Sequence, residues 1–143
     1  MKKIPVGVKV ISVLYFLIAL VFLGFGLLMT ILAKPMHDAL PELAAAYNTP
    51  AFATISIWVV IGIGLAFLAV STVSFFVGLG LWKGKKWART LAVIFAILEV
   101  VQGITGIFQE SQMALWIGIS HLVVGGLILA YLSLNKKVKR IFS

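Results

Sequence analysis

The chain has 143 residues, 62% of them hydrophobic and only 11% charged, with a formal net charge of +8. At a mean hydropathy of +1.16 it cannot furnish the charged surface that a soluble domain of this length needs, which leaves one membrane domain with little outside it. The absence of cysteine excludes structural disulfides, thiolate metal sites and thiol redox chemistry.

The first apolar run, residues 10–32, is about 23 residues long, enough to span a ~30 Å hydrocarbon core. Lys2, Lys3 and Lys9 precede it, as they would a signal peptide. The run is longer than a typical secretory h-region, and Ile31 spoils the small-residue rule before Ala33, so it is expected to stay as a span. Residues 33–50 form the one sizeable loop. Pro41 at a first helical position, followed by Glu42, can start a short interfacial helix whose Leu40, Leu43, Ala44 and Tyr47 share one face. His37, Asp38 and Glu42 match no metal-ligand spacing and read as solvated loop side chains. Neither a metal nor a cofactor is expected.

The second run, residues 51–81, is too long for one upright span. The span is set at 56–81, with Trp58 at the interface. Residues 80–89 then read Gly-Leu-Trp-Lys-Gly-Lys-Lys-Trp-Ala-Arg. Gly84 suits the tight turn between two antiparallel helices. Trp82 and Trp87 can lie at headgroup level while Lys83, Lys85, Lys86 and Arg89 meet anionic phosphates. The third span covers 90–108, the fourth 113–134, and Lys136, Lys137, Lys139 and Arg140 follow it.

This distribution of charge sets the expected topology. Every Lys and Arg except Lys34 lies before the first span, between the second and third, or after the fourth. Asp38, Glu42 and Glu110 fall on the other side. Short basic loops stay cytoplasmic, so an all-α, antiparallel four-helix transmembrane bundle with both termini cytoplasmic is expected, in the cell membrane. Trp58 and Trp116 outside, with Trp82 and Trp87 inside, complete an aromatic belt. The basic residues flank apolar runs and form no stripe with interleaved aromatics, so lipid phosphate is the expected counter-ion and nucleic acid is not. Both halves read basic, span, acidic, span, basic, a faint echo that a parallel repeat or hydrophobic composition alone can produce.

The segment from Gly80 to Arg89 resembles a loop in small four-span bacterial and archaeal membrane proteins of unassigned function. There a Gly-Leu-Trp end of the second helix passes through a short basic turn to Trp-Ala-Arg on the third. The resemblance covers about ten residues plus the span layout; it implies a four-helix bundle and no activity. Small multidrug exporters are similar in size and in using one intramembrane glutamate, but theirs belongs to the first helix. Here the first span has Ala19 near mid-depth and no acid.

Glu99 is the one acid inside a span, ~15 Å from either end of the third. An ionisable group at that depth costs roughly 3 kcal/mol on insertion scales, so it should face the bundle and have a partner or a proton. The third and fourth spans are joined only by Gln109–Gln112 and must form an antiparallel hairpin. Pairing by equal height sets His121, the single histidine of the spans, opposite Glu99. Ala92, Ala96, Glu99, Gly103 and Gly106 share one face of the third span, and Ala114, Gly118, His121 and Gly125 one face of the fourth. These are small-residue seams that permit close backbone approach. Gln102, one turn on from Glu99, and Ser71, Thr72 or Ser74 of the second span could complete a polar pocket.

Two functions follow. The first is a non-enzymatic membrane protein that packs against or regulates a partner, another membrane protein or a second copy, with Glu99 and His121 as a structural pair. The second is a small proton- or cation-coupled transporter built on that pair. An enzyme is third, since the serines of the second span have no base at a matching height. A haem carrier wants paired axial ligands, and His121 has for company only Met29 and Met113.

Overall fold

The computed structural model describes residues 4–109 and 111–142. Lys2, Lys3 and Glu110, used above to set topology, lie outside them. The chain is all-α. Its elements are α1 (Val6–Ile31), α2 (Ala33–Ala46), a 3-10 turn (Pro50–Thr54), α3 (Ile57–Trp82), α4 (Lys86–Ile107), α5 (Gln112–Leu134) and α6 (Lys136–Ile141). The helices α1, α3, α4 and α5 are each long and apolar enough to cross a membrane. Their surfaces agree with that role. Leu20, Leu127 and Leu134 are 66%, 67% and 75% exposed, a pattern that lipid satisfies and water does not. The chain is built as a multi-pass membrane protein.

Two compact units divide it: Met1–Tyr15 with Phe76–Ser143, and Phe16–Phe75. In the first, the start of α1, the end of α3, and α4, α5 and α6 share one core. Val8, Ile11 and Tyr15 meet Val77, Leu81, Ala88, Ala92, Ala96, Ile128 and Leu132 there, and α6 adds Val138 and Phe142. Segments of all four long helices therefore bundle around small alanines of α4.

The turn between α3 and α4 is built on Gly84, at φ +65°. Gly84 N–H donates to Leu81 O and Lys85 N–H to Gly80 O, at 3.0 and 2.8 Å, a Schellman closure that needs a left-handed residue at that point. A Cβ there would also meet Ile4 and Ile141. Helix α4 starts four residues before the expected third span, because Lys86, Trp87 and Arg89 are ordinary helix formers that hydropathy alone places outside. Gly80 gives Ala88 and Trp87 the room to pack against α3.

Helix α6 lies beyond the sequence reading. Asn135 caps it, its Oδ1 accepting from Lys137 N–H and Val138 N–H. Val138 and Phe142 are buried while Lys136, Lys137 and Lys139 stay exposed. The tail is thus an amphipathic turn docked on the first unit.

In the second unit, α1 and α3 run antiparallel. Ser71 Oγ donates to Ala19 O at 2.7 Å, a buried bond of roughly 0.6–2 kcal/mol within a membrane. Phe22 stacks on Phe67 at 5.4 Å, and Phe16 meets Phe75 at 5.6 Å. Gly26 and Gly64 allow the helices to touch, since a Cβ on Gly26 would lie 3.0 Å from Gly64 O.

The short helix expected from Pro41 begins eight residues earlier. It starts at Ala33, with Pro35 in its first turn and Pro41 inside. Pro35 costs no bond there, whereas Pro41 removes one; the rest of α2 outweighs that loss. Of the expected shared face, Ala44 is buried while Leu43 and Tyr47 are exposed. A second Schellman closure ends α2: Asn48 takes φ +50°, and Thr49 N–H donates to Ala44 O at 2.9 Å. Asp38 pairs with Lys34 at 3.1 Å on the exposed face. That hydrogen bond and charge hold the Asp38 carboxyl below the usual carboxylate range.

Removing the α6 cap tests the docked tail. Asn135→Ala should cost about 1 kcal/mol and lower the thermal midpoint in detergent. Limited trypsin digestion should then cut at Lys139 faster than in the wild type.

Candidate functional site

Helices α4 and α5 pack along their length as an antiparallel hairpin. Ser111 starts α5 in extended conformation, and Leu115 N–H donates back to Ser111 O. The contact face consists of the small residues. Ala92, Ala96, Gly103, Gly118 and Gly125 are buried, and Gly106 and Ala114 are half-buried. A Cβ on Gly118 would lie 2.9 Å from Gly103 O and 3.0 Å from Gly106 C. One on Gly103 would lie 2.8 Å from Gly118 O. Backbone meets backbone at this crossing.

The register is a notch. Gly103 packs against both Gly118 and Leu122, Gly106 against Ala114 and Gly118, and Gly125 against Ala96, Glu99 and Val100. Each residue thus fits between two residues one turn apart on the facing helix, as ridges enter grooves. Equal-height pairing places Glu99 across from His121. In the structure the Glu99 Cβ lies against Gly125, 2.9 Å from where a Cβ would stand, and His121 is one turn nearer the α4–α5 loop.

Glu99 and His121 are both half-buried, and they interact electrostatically. No hydrogen bond or ion pair joins them among the described residues. Glu99 Oε2 is buried and makes no hydrogen bond. A third ionisable group comes in from α1: Tyr15, buried, also within electrostatic reach of Glu99. Its hydroxyl donates to Ala92 O at 3.4 Å, on the same face of α4. Sequence reasoning missed Tyr15. The available signal was that it is the one tyrosine of the first span, but nothing local says which helix it faces.

The other candidates have their own surroundings. Gln102 is exposed on α4, outside the α4–α5 contact. Ser71 donates to Ala19 O and Thr72 to Leu68 O, so each hydroxyl has a backbone acceptor in the second unit. In the basic turn, Lys83, Lys85 and Lys86 are exposed, and Trp82 and Trp87 are 45% and 47% exposed. Lys9 Nζ lies 5.6 Å from the centre of the Trp82 ring, a cation–π contact. Arg89 is half-buried, and its Nε–H donates to Leu132 O at 3.0 Å. It thereby satisfies a carbonyl at the end of α5 that no helical N–H can reach.

No family model, curated protein or solved structure matches the chain.

Gly118→Leu should split α4 from α5. An overpacked backbone crossing costs about 1–3 kcal/mol or more, so the thermal midpoint in detergent should fall clearly. Gly126→Leu, at a glycine with open space around it, should leave it nearly unchanged.

Proposed function

We propose that the chain is a non-enzymatic integral membrane protein that works by packing laterally against a membrane partner, either a second protein or a second copy of itself. Both termini and the basic turn face the cytoplasm in this reading. The observation that carries it is the closed seam around Glu99. The backbones of α4 and α5 touch on both sides of the acid, at Gly103 with Gly118 and at Ala96 with Gly125, which leaves no aqueous route between these helices. The groove between α1 and α5 in the first unit is lined mainly by apolar side chains. In this setting the electrostatic interaction of Glu99 with His121 across the seam helps to set the register of the hairpin.

Photoreactive residues at the exposed positions Leu98 and Val123 test the partner reading in native membranes. Discrete protein adducts from at least one position support it; lipid adducts alone from both positions count against it.

A second reading is proton- or cation-coupled transport on Glu99 and His121. It is favoured by the buried Glu99 Oε2 that lacks a hydrogen-bond partner and by the electrostatic link to His121. The packing reading expects proteoliposomes to show no flux driven by a pH gradient, and Glu99→Gln to behave as the wild type. Proton-driven uptake in the wild type that Glu99→Gln abolishes would transfer the conclusion to transport.

A further inference from the structure

Between the start of α1 and the end of α5, within the first unit, runs an apolar groove of about 370 Å³. Val10, Ile11 and Leu14 form one wall, and Val124, Leu127 and Ile128 the other. Ile11 and Ile128, 6% and 7% exposed, make its floor, while Val10 and Leu127, 54% and 67% exposed, make its rims. It follows the helices for two turns, about 10 Å, and so runs along the direction of lipid chains when the helices span. One end is shaped by a close approach. Gly7 carries no side chain where the phenol ring and hydroxyl of Tyr131 lie against it, and any Cβ would collide with them. A tyrosine there has its apolar ring in the groove and its polar tip at headgroup level.

The chain just beyond that end carries concentrated positive charge. Lys136 and Lys137 directly follow α5, and both are exposed. Val138 and Phe142 anchor α6 in the core, which keeps these lysines beside the membrane surface. Among the described residues of this unit Glu99 is the one acid, and it lies ~20 Å along α4 from the Lys86 end. Among the described residues, Lys136 and Lys137 have no ion-pair partner.

We infer that this groove seats one acyl chain of an anionic phospholipid, with the lipid phosphate held by Lys136 and Lys137 beside the Tyr131 hydroxyl. The apolar walls supply the place for the chain, and the two cations select the headgroup. A zwitterionic lipid can fill the same groove but gains less from the lysines. The site is separate from the seam and does not depend on the proposed partner function.

The test is native mass spectrometry of the full chain, extracted from nanodiscs of equal phosphatidylglycerol and phosphatidylcholine, with circular dichroism to confirm folding. The wild type should keep one phosphatidylglycerol through detergent exchange, favoured over phosphatidylcholine by about tenfold. Val124→Trp and, from the exposed rim, Leu127→Trp should fill the groove and lose that lipid. Lys136→Gln with Lys137→Gln should keep a lipid but no longer prefer the anionic one. Equal retention of the two lipids by the wild type would overturn the inference. So would undiminished phosphatidylglycerol retention in a folded groove-filling variant.

Discussion

The contact on which the rest of the first unit depends is the meeting of two backbones, α4 and α5, at Gly103 and Gly118. In hydrocarbon, apolar side chains gain nothing by leaving lipid for one another, so helices associate through close packing and polar contacts. Glycine and alanine make that packing dense by letting main-chain atoms approach. Once α4 and α5 are locked, the alanines at 88, 92 and 96 present a smooth face on which α1 and the end of α3 settle. The seam also decides the surroundings of Glu99, because the acid leaves the helix in the middle of it.

The two ends of the hairpin are finished differently. Near the α4–α5 loop the packing thins, and Phe108, Met113 and Trp116 are widely exposed. At the opposite end Arg89 ties α4 to the Leu132 carbonyl near the end of α5, and α6 covers the core with Val138 and Phe142. Basic residues concentrate at this better-packed end. Basic charge and structural closure are therefore carried by the same short segments, with the apolar half of α6 facing inward and its lysines outward.

Glu99 brings together the energetic and functional arguments. A carboxyl at this depth is costly, and the structure places near it a glycine, a histidine of α5 and a tyrosine of α1, without a hydrogen bond to Oε2. Tight backbone contact on either side of it argues for a register-setting group over a gate. The lipid-facing groove at the basic end is a different kind of feature, apolar inside and cationic at its mouth. One is a tight, half-buried seam; the other is an open apolar groove.

Much of this was legible in the residues. Runs of twenty or so apolar residues must become helices in lipid, since only a helix satisfies its own backbone there, and the three-four spacing of small residues marks one face of a helix without reference to any other part of the chain. Position 84 asked for glycine because a left-handed turn does. What tertiary structure alone decided were relations between segments. Equal-height pairing expects Gly106 near Ala114, Gly103 near Gly118 and Ala96 near Gly125, and these meet; because side chains interlock, Glu99 Cβ also lies against Gly125 while the acid interacts electrostatically with His121. Tyr15 turned toward α4, Arg89 found the Leu132 carbonyl, and a tail that reads as a charge run became a docked helix because Val138 and Phe142 had a core to enter. Helix formation in a bilayer is a local necessity; which groups then meet depends on how the finished helices fit.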